Sequence, residues 1–473
     1  MSSSITYVST RGVAPSVGFE DVLLEGLAPD GGLYMPSSWP ILSKDALRSF
    51  RGMAYEDIAA QVMQPFVGDA IASDVLTCLS HEAYGTFSHL QVAPLLQIGS
   101  SDWLLELFHG PTLAFKDVAM QMLARLFDEV LTRRGERVLL LGATSGDTGA
   151  AAIEAFRGRQ TVDIVILHPK GRIAPLQRLQ MTTIIDDNVH NIEIDGTFDD
   201  CQGLVKSLFG DVEFRKEISI AGVNSINWAR VMPQIVYYIT SAVALGAPEC
   251  AVSFVVPTGN FGNVFAGYAA KAMGLPVERL LIACNSNDTL YRALDTGRYE
   301  TRGVQPTMSP AMDIQISSNF ERLLFEVSNN NTNIVQGLMG SLEQSGRFNL
   351  PSSAWNTIKR QFDVGRADEK QTLSALRRLH EETGLFADPH TAVGLHVAYE
   401  RREGGGRSLS QETPLITLAT AHPAKFPQAI GEAGLTPPPV ESLAGLESKP
   451  EHCTALPNDV KALASFIRAQ VGG

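Results

Sequence analysis

Lys116 stands in the run His109-Gly-Pro-Thr-Leu-Ala-Phe-Lys-Asp117, ahead of apolar residues Ala119, Met122, Leu123, Leu126, Phe127, Val130 and Leu131 that recur with the helical period. A lysine in the first turn of an apolar helix loses solvation and meets the positive helix end, and both disfavour its ammonium form. A neutral amine is the form that makes a Schiff base with a carbonyl. The plain alternative is a solvated lysine beside Asp117.

Three further segments could bind anions. In Thr144-Ser-Gly-Asp-Thr-Gly149, small residues permit close backbone approach, while hydroxyls and free amides at a helix start suit a negative group. No Gly-Lys-Ser/Thr follows, and the glycine spacing is not G-x-G-x-x-G, so neither a P-loop nor a dinucleotide loop is indicated. An ordinary strand-to-helix turn with Asp or Thr as its cap is equally compatible. Gly259-Asn-Phe-Gly-Asn263 also lies between strand and helix, and its glycines free backbone amides to ring a phosphate without a lysine. Asn224-Ser-Ile-Asn-Trp-Ala-Arg230 brings amide, hydroxyl and guanidinium groups within two helical turns, a possible carboxylate or phosphate clamp.

These segments need a scaffold that presents strand ends. Residues 137–142, 162–167, 250–256, 280–284 and 415–418 read as short buried strands, alternating with helices at 150–156 and 264–273. That grammar predicts an α/β fold of two facing, mostly parallel sheets flanked by helices, with ligands at the loops after the strand C-termini. Residues 1–85 read as an N-terminal extension. A large domain is expected from 86–117 and 233–473, including a helical insertion at about 298–386, and a small α/β domain from 118–232.

The 473 residues carry 38 Lys and Arg against 51 Asp and Glu, a formal charge of −13, without a basic run. A nucleic-acid or anionic-membrane role is therefore not expected. Five scattered cysteines show neither C-x-x-C nor zinc-type spacing, so no metal is predicted. No apolar run approaches a membrane span and the start lacks a leader pattern, which points to the cytoplasm. An acidic body repels phosphorylated metabolites at long range, so any such ligand needs local groups that overcome the field.

Taken together, a candidate Schiff-base lysine, a lysine-free phosphate cup and polar anion loops are the parts that hold pyridoxal phosphate and an amino-acid substrate. Here the sequence resembles the threonine synthases, fold type II pyridoxal-phosphate enzymes with a tryptophan-synthase-β-like fold, and their bacterial and fungal subgroup in particular. The likeness extends from Tyr7-Val-Ser-Thr-Arg-Gly12 and Glu25-Gly-Leu-Ala-Pro-Asp-Gly-Gly-Leu-Tyr-Met-Pro36, through Ile316-Ser-Ser-Asn-Phe-Glu-Arg322, to Asp388-Pro-His-Thr-Ala392 and Ala419-Thr-Ala-His-Pro-Ala-Lys-Phe426.

The resemblance implies that Lys116 binds the cofactor and that Gly259, Asn260, Phe261, Gly262 and Asn263 hold its phosphate. It places Thr420 opposite the pyridine nitrogen and Asp147 near the ring hydroxyl oxygen, where many relatives carry Asn. Thr144, Ser145 and Thr148 match the binding region for substrate carboxylate and phosphate, and Asn224, Ser225, Asn227 and Arg230 match a second anion motif. His390 and His422 fall near the site, each with a structural role at least as expected as a catalytic one. The implied reaction converts O-phospho-L-homoserine and water to L-threonine and phosphate, by a monomer. A phospho-lyase ending at 2-oxobutyrate and ammonia shares these motifs, and a non-catalytic anion-binding module is the alternative from another class.

Overall fold

A computed structural model describes residues 5–222, 225–404, 409–437 and 439–471. Its strands, in chain order, are β1 Tyr7–Ser9, β2 Tyr34–Pro36, β3 Leu95–Gln97, β4 Asp102–Glu106, β5 Val138–Ala143, β6 Val162–Pro169, β7 Val189–Ile194, β8 Ile220–Gly222, β9 Val252–Pro257, β10 Val277–Cys284, β11 Arg298–Glu300, β12 Arg347–Asn349, β13 Phe362–Arg366, β14 Leu415–Ala419 and β15 Thr454–Leu456. The larger sheet has the order β13-β10-β9-β14-β4-β3 and is parallel except for β3, which runs antiparallel to β4. The smaller has the order β15-β7-β6-β5-β8 and is wholly parallel. The α/β, two-sheet class expected from the sequence is thus the observed one.

Burial explains why these segments are strands. Every residue of β6 and of β9 is buried, and a continuous apolar run is what a strand covered on both faces requires. Asp163 interrupts β6, and Arg137 Nη2 meets its carboxylate at 2.9 Å.

One apolar core joins the parts that the sequence separates. It contains Tyr7 and Val22 from the N-terminal segment, Leu126 and Phe127 from helix Lys116–Arg134, Ile235 and Tyr238 from helix Trp228–Ala244, and residues of both sheets, such as Phe254 and Leu140. The opposite face of the smaller sheet has its own cluster, in which Leu139, Val165 and Ile192 meet Leu463 and Ile467.

Two stretches depart from the expected organisation. The region 298–386 is not wholly a helical insertion, because β13 pairs in parallel with β10 and forms an edge of the larger sheet. Its sequence, Phe-Asp-Val-Gly-Arg, is too polar to announce a strand, as suits an edge. The C-terminal tail does not stay with the larger sheet. Strand β15 pairs with β7, and helix Val460–Val471 covers the smaller sheet, so residues 454–471 complete that layer. A three-residue strand beyond a Pro-rich tail carries no periodicity from which this could be read.

Candidate active site

The C-terminal ends of β4, β5, β9 and β14 deliver the chemistry-bearing loops. After β4, residues 107–115 lead to Lys116, the first residue of helix Lys116–Arg134. That approach is pinned to the segment after β14: Phe115 N–H donates to Thr420 O at 2.8 Å, and His422 N–H to Leu113 O at 3.0 Å. Lys116 and Thr420 are therefore held on adjacent strand extensions. After β5 comes Gly146, whose φ of 145° favours glycine, and a Cβ there would lie 2.2 Å from Gln177 Oε1.

A single cavity is lined by Lys116, Asp147, Thr148, Ser225, Arg230, the loop Gly259 to Asn263, His390 and Thr420. Lys116 is buried, with Nζ 3.3 Å from Asp147 Oδ2. Burial pushes its pKa below the ordinary lysine range, and Lys425 and Arg230 push it further, against the attraction of Asp147. Asp147 is the meeting point of several groups. Its Oδ1 lies 2.8 Å from Lys425 Nζ and accepts a hydrogen bond from Gln177 Nε2 at 2.7 Å. Burial by itself would raise this carboxyl, but Lys425 and Lys116 hold it far below the usual range, so it is a carboxylate.

The loop after β9 forms a cup at the start of helix Gly262–Ala272. Phe261 has a left-handed backbone, φ 65°, which turns the chain sharply at the helix start. A Cβ on Gly259 would stand 2.8 Å from Ala311 O, so only glycine fits there without a shift. Asn263 Oδ1 accepts from the hydroxyls of Tyr237 and Tyr238, while its Nδ2, buried, has no partner among the described residues. The cup therefore offers a fixed amide donor and the first amides of a helix.

Not every sequence-derived candidate reaches the cavity. The Thr144 hydroxyl accepts from Gly146 N–H at 3.0 Å and Gly149 N–H at 2.9 Å, which makes it a brace of its own loop. Ser145 is exposed and outside the lining. Asn227 spends both ends of its amide, accepting from Ala229 N–H at 2.9 Å and donating to Leu23 O at 2.8 Å, so it caps helix Trp228–Ala244. Asn224 lies outside the described residues. Arg230 does line the cavity, and burial pushes its guanidinium down to about 10.

Two groups, Lys425 and Gln177, escaped the sequence reading, whereas His390 and His422 were expected near the site. Lys425 and Gln177 come from distant segments and meet only at Asp147. His390 Nδ1 lies 2.6 Å from Asp388 Oδ1, and its Nε2 accepts from Ala311 N–H at 3.2 Å, which puts the ring proton on Nδ1. His390 thereby braces the segment against which Gly259 packs. His422 Nδ1 accepts from Ala424 N–H at 3.1 Å, a local capping role.

A model of the threonine synthase N terminus matches residues 6–84, one of pyridoxal-phosphate-dependent enzymes matches 91–413, and one of the threonine synthase C-terminal region matches 391–467. A threonine synthase of Pseudomonas aeruginosa is 49% identical, covering 98% of this chain and 97% of its own. The chain belongs to the threonine synthase family. The crystal structure of a PLP-bound threonine synthase from Brucella melitensis, 51% identical, superimposes with a TM-score of 0.95 over 99% of this chain and all of that one (100%). The human threonine synthase-like 2 protein is less similar, at 35% identity over 95% of this chain and 93% of its own.

As a threonine synthase family member the chain is a pyridoxal-phosphate-dependent enzyme of the fold type II group. Its residues fit that cofactor. The unpartnered Asn263 Nδ2 and the glycine-walled cup suit a phosphate, and Lys116 opens on the same cavity. The local charge agrees. Lys116 and Lys425 flank the carboxylate of Asp147 and Arg230 lines the same cavity, so a chain with a net charge of −13 keeps a cationic pocket. Among the described residues no helix is long and apolar enough to cross a membrane.

Proposed function

We propose that the chain converts O-phospho-L-homoserine and water to L-threonine and phosphate. The observation that carries this reading is the convergence of Lys116, Arg230 and the Gly259 to Asn263 cup on one buried cavity. Bound pyridoxal phosphate supplies an electron sink for carbanions formed on the substrate carbons. Lys116 is the residue that holds the cofactor's aldehyde carbon. With substrate bound, its Nζ would take and return protons at the substrate Cα and Cβ. Its lowered pKa suits that work, because the free amine must be unprotonated to act as a base.

Gly259, Asn260, Phe261, Gly262 and Asn263 would hold the cofactor phosphate, and Thr420 and Asp147, which line the same cavity, would hold its ring. Thr148, Ser225 and Arg230, with Ser145 at the rim, receive the substrate's carboxylate and phosphate. Thr144 and Asn227 support those loops from behind. A hydroxyl at Thr420, unlike a carboxylate, would leave the bound ring's nitrogen without a proton and so moderate the chemistry the cofactor supplies. The larger sheet with its flanking helices carries the cofactor, the smaller sheet closes over the substrate, and the enzyme works as a cytoplasmic monomer.

Incubating the holoenzyme with O-phospho-L-homoserine tests the reaction. Threonine and phosphate in equal amounts are expected, and 2-oxobutyrate as the main product would replace the synthase reading with a phospho-lyase. Lys116→Ala should abolish both the turnover and the cofactor's absorbance near ~410 nm. A protein that stays colourless when incubated with pyridoxal phosphate would favour a non-catalytic module.

A further inference from the structure

Lys425 is the most deeply buried cation beside the cavity, with none of its side chain exposed. Its Nζ touches two fixed acceptors, Asp147 Oδ1 at 2.8 Å and the Thr112 carbonyl at 2.7 Å. Lys116 reaches the other oxygen of the same carboxylate at the longer distance of 3.3 Å. Two amines therefore compete for one carboxylate. The shorter contact and the additional carbonyl both belong to Lys425.

We propose that Lys425 is a positioning residue that serves as the permanent counter-ion of Asp147, so that Lys116 is the amine of the pair that gives up its proton. This rests on the reading of Lys116 as the cofactor-holding lysine, and extends it to a second lysine with a different role. Were Lys425 absent, Asp147 would have Lys116 as its only neighbouring ammonium and would hold a proton on it. With Lys425 in place, Asp147 is already neutralised, and a second ammonium at Lys116 meets repulsion that the carboxylate no longer offsets. The carboxylate also stays ionised after Lys116 has lost its charge to the cofactor or the substrate.

The other charged groups around Lys116 act in the same sense or stand aside. Arg230, on helix Trp228–Ala244, adds a further positive charge. His390, on helix Pro389–Arg402, interacts with Asp147 and is hydrogen-bonded to Asp388. Asp117, next in the chain, is turned to Thr112, accepting from its N–H at 2.8 Å and its hydroxyl at 2.6 Å.

The test is the rate at which the full-length apoprotein captures pyridoxal phosphate, followed by absorbance as a function of pH. This reads Lys116 before any turnover. In the unaltered protein the rate should reach half its maximum well below the ordinary lysine pKa, and a midpoint at or above that value would overturn the proposal. Lys425→Gln keeps a donor for the Thr112 carbonyl but removes the charge. It should move the midpoint upward by about one pH unit or more, and Lys425→Arg should restore it. An unchanged midpoint in Lys425→Gln would show that Lys425 serves only to brace the Thr112 turn. Should Lys425→Gln not fold, Lys425→Met, which also removes the charge, is read in its place, and an unchanged midpoint there overturns the proposal. Failure of the underlying reading looks different: capture that persists in Lys116→Ala would remove Lys116 itself from the cofactor.

Discussion

Tyr237 donates its buried hydroxyl proton to Asn263 Oδ1 across 2.6 Å. The Tyr238 hydroxyl reaches the same oxygen at 2.8 Å and the Asn263 carbonyl at 2.9 Å. Two donors on one oxygen fix the amide orientation and leave Nδ2 as the free end of a residue lining the cavity. Helix Trp228–Ala244, whose Arg230 lines the cavity, thus also orients the donor of the cup. Replacing both tyrosines by phenylalanine removes the bias that holds the amide in place. Affinity for pyridoxal phosphate, measured by titrating the apoprotein, should fall about tenfold, a cost of roughly 1.4 kcal/mol. Equal affinity would show that the cup does not depend on this amide.

Gly259→Ala addresses the same cup from its other wall. The added methyl would approach Ala311 O to 2.8 Å, and backbone cannot give way as a flexible side chain can. Either the cup or the 310–312 segment must move. Cofactor affinity should fall by at least about tenfold, a cost of roughly 1.4 kcal/mol, with little change in the thermal midpoint of the apoprotein. Unaltered cofactor affinity would remove the close approach from the argument.

Asp117 gives a pH signature. Burial pushes its carboxyl up to about 6, although Thr112 and Lys425 oppose the shift. A carboxyl whose folded pKa exceeds its unfolded value binds protons more tightly when folded. Its contribution to stability is complete below the unfolded value of about 4 and is lost as pH rises through about 6. Asp117→Asn should therefore lessen the decline in stability between pH 4 and pH 6, measured as thermal midpoints of the apoprotein. A difference between variant and parent that does not vary over this window would contradict the assignment.

Arg322 ties the N-terminal segment to the cup. Its Nε donates to Tyr34 O at 3.1 Å, its Nη2 to Ile226 O at 2.6 Å, and its Nη1 to Asn319 Oδ1. Asn319 in turn donates through Nδ2 to Asn260 O at 3.1 Å. Arg322→Met leaves two carbonyls unpaired but also removes a buried charge, whose pKa burial pushes down to about 9. The net loss should be about 2 kcal/mol, seen as a lower thermal midpoint, with weaker cofactor binding alongside. An unaltered midpoint would mean that the buried charge costs as much as its hydrogen bonds return.

Local chemistry made much of this protein legible from its sequence. Buried parallel strands are continuous apolar runs, so β5, β6, β9, β10 and β14 could be read directly, and with them the loops at 143–149 and 257–263. Lys116 was visible because an apolar helix begins at it, and the resemblance to threonine synthases rested on runs of consecutive residues. Tertiary structure decided what no local pattern encodes. The pairing of β15 with β7 depends on a chain returning across about 260 residues. Lys425 reaches Asp147 only because β14 and β5, in different sheets, end at the same cavity. Thr144 and Asn227 illustrate the converse: residue type suggested ligands, but their hydrogen-bonding groups are consumed by the backbone around them. Sequence states which groups a chain carries, whereas folding determines which of those groups remain available to a ligand.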